Sequence, residues 1–256
     1  MLRPKRRFLR PHPRLLFRAA GSAFSILGVI IAARPAAAQV TGEQVVSGQA
    51  AFHRNGANTT ITAANNTVIN YQQFSIAPGA TVRFIQPDSA SRVLNRVTGP
   101  DPSTIAGSLI ANGIVYIVNP AGVYFRQGAL VDVAGIYAAA GHIADADFLS
   151  GVNRFTDVGG RVVNQGAIHA HTAALIGSVV SNEGVIESPG GVVTLVAGDE
   201  VLLGERGSAI YVRMNPPSGP EEADPASGHA GADGGPAPMP GSPRVSNSGT
   251  INARTG

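Results

Sequence analysis

Few side chains in this sequence stand at spacings that could do chemistry. Asp145, Asp147 and Asp157 surround Phe148 in "DADFLSGVNRFTD". Two carboxylates meeting in a loop could serve as acid and base on a polysaccharide, the arrangement that β-helical lyases and hydrolases use. Proximity in sequence specifies no such pair, and we read the three as solvated loop acids. His169 and His171, two residues apart, project from one face of a strand and could bind a metal, but no third ligand is evident. The chain has no Walker loop, nucleophile elbow, calcium nonapeptide or His-Glu-x-x-His motif. We therefore expect no enzyme, no catalytic residues, no metal and no cofactor. A third group, Asn119, Pro120 and Gly122 in "VNPAGVYF" (118–125), interrupts an apolar run that then resumes. Proline removes a backbone donor that a central ladder would need, so this stretch reads as a corner between strands.

A repeat supplies the elements that would hold these residues in place. "VVNQGAI" (162–168), "VSNEGVI" (180–186) and "VSNSGTI" (245–251) share the pattern Val-x-Asn-x-Gly-x-Ile. Asn164 and Asn182 lie 18 residues apart. The 65 residues from Asn182 to Asn247, less the 29 of a Pro/Gly-rich stretch at 216–244, leave 36, or two further periods. Such a period fits one coil of a parallel β-helix, whose strands stack about 4.8 Å apart. Asn164, Asn182 and Asn247 would then form a ladder of side-chain amides inside a bend. Gly166, Gly184 and Gly249 would turn the chain through positive φ, which the asparagines also tolerate.

Composition agrees with a chain of many short strands. It is 44% hydrophobic but only 5% aromatic, with 32 Gly and 18 Pro, so small and β-branched residues must pack the core. Further strand candidates are "IVYIV" (114–118), "ALVDVAGIYAAA" (129–140), "GVVTLVAG" (191–198), "EVLLGE" (200–205) and "AIYVRM" (209–214). Upstream, "TTITAANNTVINYQQFSIAPGATVRFIQP" (59–87) alternates polar and apolar positions without repeating, and we read about residues 39–92 as an amino-terminal cap.

The basic charge belongs to the leader alone. Eight of the 19 Lys and Arg lie in residues 1–38, and all 16 Asp and Glu lie beyond them. The remainder is acidic and carries no Lys, which argues against a nucleic-acid partner. Residues 1–38 read as a signal peptide: a basic segment to Arg18, an apolar stretch from Ala19 to Ala33, and "RPAAAQ" with cleavage after Ala38. "KRRFLR" (5–10) resembles a twin-arginine signal, although we favour general secretion. The apolar stretch is shorter than the roughly 20 residues of a membrane span, so no stable membrane insertion is expected after cleavage. Without Cys the exported chain has no disulfides.

The ordered series "VLNRVTGPDPSTIAGSLIANGIVYIVNPAGVYF" (93–125), "DFLSG" (147–151) and "VVNQGAI" resembles the amino-terminal secretion domain of filamentous haemagglutinins and related two-partner secretion exoproteins. The resemblance covers roughly residues 40–215. It implies an all-β fold, a right-handed parallel β-helix with an amino-terminal β cap, over residues 39–215. It also implies passage through the periplasm to the cell surface or medium, by way of a separate outer-membrane β-barrel transporter. A role in adhesion to a host or cell-surface ligand follows from the same likeness. The family's Asn-Pro-Asn-Gly-Ile signature stands here as Asn119-Pro120-Ala121-Gly122-Val123, and its Asn-Pro-Asn-Leu signature has no counterpart. Asn119, Pro120 and Gly122 are thus either a structural corner or a point of transporter recognition. β-Helical carbohydrate-active enzymes and autotransporter passengers are the alternative readings.

The stretch 216–244 has almost nothing to bury and reads as a disordered insert between coils. Residues 245–256 then begin another coil with no cap of their own, so the natural protein is expected to be longer, truncated, or covered there by another molecule.

Overall fold

The computed structural model describes residues 38–204, 210–213 and 244–253. The leader read over 1–38 and the insert read over 216–244 lie, but for their last residues, outside that part.

The chain winds as a parallel β-helix of three faces. The first lap is β4 (Asn58–Ala63), β5 (Thr67–Tyr71) and β6 (Gln73–Ser75), and the second is β7 (Thr81–Ile85), β8 (Arg92–Val97) and β9 (Ser103–Ile105). The third lap is β10 (Ser108–Ala111), β11 (Ile114–Val118) and β12 (Val123–Phe125). In the fourth lap the ten-residue strand β13 (Leu130–Ala139) serves two faces, pairing with β10 through its first half and β11 through its second. After an excursion the lap closes with β15 (Arg161–Asn164). The long strand β16 (Ala167–Gly177) repeats the arrangement, and β17 (Val179–Asn182) follows. β18 (Val185–Glu187), β19 (Val192–Ala197) and β22 (Arg244–Asn247) make the sixth lap, and β23 (Thr250–Asn252) starts another.

Register explains why so few aromatic residues suffice. Val82, Leu109, Val131, Ile168, Ile186 and Ile251 stand opposite one another in successive laps. Val123, Val162, Val180 and Val245 form a second such column on the third face. Each interior Val or Ile packs on its equivalent above and below, and burial of such a side chain is worth about 1.5–3 kcal/mol. The larger side chains Tyr71, Phe74, Phe84 and Phe125 fill the amino-terminal laps.

The first lap is closed from below by antiparallel pairing. β1 (Gln39–Thr41), β2 (Gln44–Ser47) and β3 (Ala50–Asn55) pair with β6, β5 and β4 respectively. Parallel winding begins at Asn58, so the stretch read as a cap over 39–92 contains an antiparallel layer to Asn55, then the first parallel lap and the first strand of the second. Helical laps already alternate polar and apolar residues there, which is why alternation alone did not separate the two.

Two excursions leave the helix and meet outside it. One carries α1 (Asp145–Ser150) and β14 (Asn153–Phe155), and the other carries β20 (Glu200–Leu203) and β21 (Ile210–Arg213). β14, β20 and β21 form an antiparallel sheet. The stretches read as coil strands at 200–205 and 209–214 therefore belong to a hairpin outside the laps. With α1 this layer buries Phe148, Phe155, Val201 and Leu203 against Leu94, Tyr116 and Val118, the outward residues of the second face.

Candidate functional site

Two constellations on the third face carry the sequence signatures: the corner at Asn119 and the stacked Asn-x-Gly turns. Asn119 is fully buried and uses every polar group it has. Its N–H donates to Ala139 O at 2.9 Å, and its C=O accepts from Gly122 N at 2.9 Å. Its side-chain Oδ1 accepts from Ala121 N at 3.0 Å, and its Nδ2 donates at 3.0 Å to both Asp101 O and Ser103 Oγ. One asparagine thus ties the corner of the third lap to the second lap through Asp101 and Ser103, and to the fourth through Ala139. Such satisfaction is what a buried amide requires. Gly122 holds φ +116°, and a Cβ there would lie 2.9 Å from Arg161 O, so backbone conformation and a close neighbour both favour glycine. Pro120 is half-buried and Ala121 exposed, leaving these two as the outward part of the turn.

The Asn-x-Gly turns stack directly. Asn164 Nδ2 donates to Asn182 Oδ1 at 2.8 Å, and Asn182 Nδ2 donates to Asn247 Oδ1 at 2.7 Å. Asn164 and Asn182 are fully buried, while Asn247 is exposed. Below the ladder, Phe125 occupies the position of Asn164 in the preceding lap, with Ile105 beneath it. The backbone takes part as well, since Gly184 N donates to Asn164 O and Gly249 N to Asn182 O, both at 3.0 Å. On the outside Gln165 Nε2 donates to Glu183 Oε2 at 2.9 Å, and Ser181 Oγ to Oε1 at 3.1 Å. These two bonds, the Gln165 amide first, hold the Glu183 carboxyl below the usual carboxylate range.

The laps depart from the sequence expectation in two ways. Asn182 and Asn247 are neighbours in consecutive laps, so the 65 residues from one to the other make one lap and not the two expected. The hairpin of β20 and β21 takes up chain that counting by composition had assigned to coils. Gly166, Gly184 and Gly249 do not adopt positive φ, and neither do the ladder asparagines. Close stacking demands these glycines: a Cβ on Gly184 would come within 2.1 Å of Gly166 O, and one on Gly249 within 2.1 Å of Gly184 O. Bare backbone is needed where one turn lies on the next.

The acids and histidines take separate positions. Asp145 pairs with Arg96, while Asp147 lies 3.9 Å from Arg154. Asp157 holds φ +50° in the turn after β14. His169 faces Asp132 on one side and Glu187 on the other in register, with its Nε2 3.4 Å from Glu187 Oε2. Among the described residues no three His, Asp or Glu come together to hold a metal ion. An open groove beside the cap, lined by Gln49, Thr62, Gln86, Ile85, Pro87 and small apolar residues, has no ionisable side chain.

Sequence reading missed the seat of "DFLSG". Arg96 Nη2 donates to Asp145 Oδ1 and, at 2.8 Å, to Ile143 O. Tyr116 OH donates to Asn153 Oδ1 at 2.8 Å. Phe148 meets the Tyr116 ring edge-on with centroids 5.2 Å apart, and the Arg92 guanidinium lies 5.4 Å from the Phe148 ring centre. Arg96 in "VLNRV" and Asp145 are 49 residues apart and share no motif, so nothing in the sequence pointed to their pairing.

Comparison with known proteins bears on this architecture. A family model described as the TPS secretion domain matches residues 33–234, which run through the cap and all but the last strands of the helix. The chain belongs to the TPS secretion domain family. It is similar to the heme/hemopexin-binding protein of Haemophilus influenzae, at 37% identity over 189 residues, 68% of this chain and 21% of that protein. A second heme/hemopexin-binding protein from the same species is 44% identical over 70 residues, 27% of this chain and 8% of that protein. The chain thus spans about a fifth, or less, of the length of these curated relatives. Among solved structures it resembles the crystal structure of the HMW1 secretion domain from Haemophilus influenzae, with a TM-score of 0.65 and 30% identity. That likeness covers 69% of this chain and 50% of that one. A TPS secretion domain marks a two-partner secretion exoprotein.

Proposed function

We propose that this chain is the module that directs its exoprotein through a separate outer-membrane β-barrel transporter. The match to the TPS secretion domain over 33–234 is the observation that carries this reading. The leader at 1–38 would take the chain across the inner membrane, and the domain of 39–215 would present it to the transporter. Asn119, Pro120 and Gly122 have two roles in this scheme. Asn119 and Gly122 build the corner from inside, and Pro120 with the exposed Ala121 offers the transporter its outward surface. The Asn-x-Gly turns at Asn164, Asn182 and Asn247 serve the winding itself.

The whole exoprotein would then act at the cell surface or in the medium, attaching to a host or cell-surface ligand. Its relatives named for heme and hemopexin binding support a ligand of host origin. A carbohydrate-active enzyme receives less support, because Asp145, Asp147 and Asp157 engage different partners or turns.

Co-expression of the exoprotein with a candidate outer-membrane transporter of the two-partner secretion type, in a Gram-negative host, tests the proposal. Release into the medium only when the transporter is present is the expected result. Equal release with and without it would overturn the reading.

A further inference from the structure

The chain contains two Asn-Gly pairs, Asn55-Gly56 and Asn112-Gly113, and the fold treats them in opposite ways. Asparagine before glycine is prone to self-attack, because no Cβ shields the glycine nitrogen. The Gly56 nitrogen would lose its proton and bond to Asn55 Cγ, and the Cγ–Nδ2 bond would break with release of ammonia. Water then adds to either carbonyl of the cyclic imide and opens it, leaving aspartate or isoaspartate. One water enters, one ammonia leaves, and nothing is oxidised or reduced.

Asn55 ends β3 at the tip of the hairpin to β4, where Asn55 stands opposite Asn58 across a two-residue turn. Gly56 holds φ +58° while Ala57 does not adopt positive φ, and no atom lies within 4 Å of a Cβ placed on Gly56. Positive φ at the first central residue alone is the II′ hairpin turn. Asn55 and Gly56 are both exposed, so water reaches the side chain, the nitrogen and the imide.

Asn112 is also at the surface, but its amide is held at both ends. Its Oδ1 accepts from Gln86 N at 2.8 Å and its Nδ2 donates to Gln86 O at 2.7 Å, so the side chain imitates a rung of the ladder between two laps. Gly113 is buried, with the Gln86 amide 2.6 Å from where a Cβ would stand, and its carbonyl accepts from Ala134 N. Attack at Asn112 requires both side-chain bonds to break and the corner to open.

We infer that Asn55 is a site of spontaneous deamidation and isoaspartate formation in the folded protein, and that Asn112 is protected by Gln86. The product matters because β3 is an edge strand of the cap, paired only with β4 among the described strands. Isoaspartate adds a methylene to the backbone at the residue where the hairpin register is set. The register from Ala50↔Ala63 to Asn55↔Asn58 then loses its turn.

Peptide mapping by mass spectrometry, with enzymatic methylation to count isoaspartate, tests this on the purified full chain aged in mildly alkaline buffer. In the unfolded chain, held in denaturant as the calibration, both pairs should convert at similar rates. In the folded protein Asn55 should convert at least roughly tenfold faster than Asn112, the factor carried by two lost hydrogen bonds. Aged protein should also show faster amide exchange over residues 50–55. Equal rates at the two sites in the folded chain, or faster conversion at Asn112, would overturn the inference.

Discussion

Asn182 donates its side-chain amide to Asn247, 65 residues later, at 2.7 Å, while accepting from Asn164, 18 residues earlier, at 2.8 Å. Laps of very different length therefore meet at the same corner with the same geometry. Lengthening a surface loop adds only a logarithmic closure cost, so excursions are tolerated wherever the returning strand finds its rung.

Replacing Asn182 with Ala removes the middle of the ladder and leaves Asn164 Nδ2 buried without its asparagine acceptor. We expect a loss of about 1–3 kcal/mol. Asn247→Ala should cost less, because that residue is exposed. Denaturant titration compares the two, and equal midpoints for Asn182→Ala and the parent chain would remove the ladder from the account of stability.

Gly184→Ala should destabilise by about 1–3 kcal/mol through overpacking, since its Cβ would fall 2.1 Å from Gly166 O. Gly190 offers the contrasting case, with φ +64° and open space. Its replacement by Ala carries only the backbone penalty and should be milder. A thermal melt in which Gly190→Ala is the worse variant would contradict the stacking role assigned to Gly184.

The Arg96–Asp145 pair fastens α1 to the second face, with side chains 17% and 39% exposed. A double-mutant cycle with Arg96→Ala and Asp145→Ala should show a coupling of about 0.5–1 kcal/mol, modest because water reaches the carboxylate. Proteolysis after either substitution should cut first within 142–158 while the laps persist. Cleavage starting in the laps would show that the pair supports the helix itself.

Burial is the main cause that raises the Tyr71 and Tyr116 phenols far above their usual range, with Glu43 adding for Tyr71 and Tyr137 for Tyr116. The unfolded chain ionises these tyrosines near pH 10 while the folded one keeps them protonated. Folded protein thus binds more protons above that pH, and its stability must fall as pH rises beyond it. Tyrosinate absorbance should appear for these two residues only with unfolding. Full tyrosinate absorbance from a chain whose strand circular dichroism is intact would refute the assignment.

Ala121→Arg separates the two roles of the Asn119 corner. The side chain is exposed, so stability should stay within about 0.5 kcal/mol of the parent. Transporter-dependent release should drop if the outward turn is read by the transporter. Unchanged release from this stable variant would leave Asn119, Pro120 and Gly122 with a structural part only.

Sequence alone determined the repeating unit and its packing. Val-x-Asn-x-Gly-x-Ile states which residues point in, and parallel stacking in register lets one motif predict its contacts with copies of itself: Asn on Asn, Ile on Ile. The same logic made the corner at "NPAG" legible, because proline and glycine act on their own backbone. Tertiary structure decided what depends on unlike neighbours. The ladder glycines proved to be required by carbonyls of an adjacent lap rather than by their own φ. The hairpin at 200–213 left the laps to pair with β14, and Arg96 found Asp145 across 49 residues. Local patterns encode local torsions and self-stacking, whereas a contact between different segments exists only once the winding has placed both on the same face.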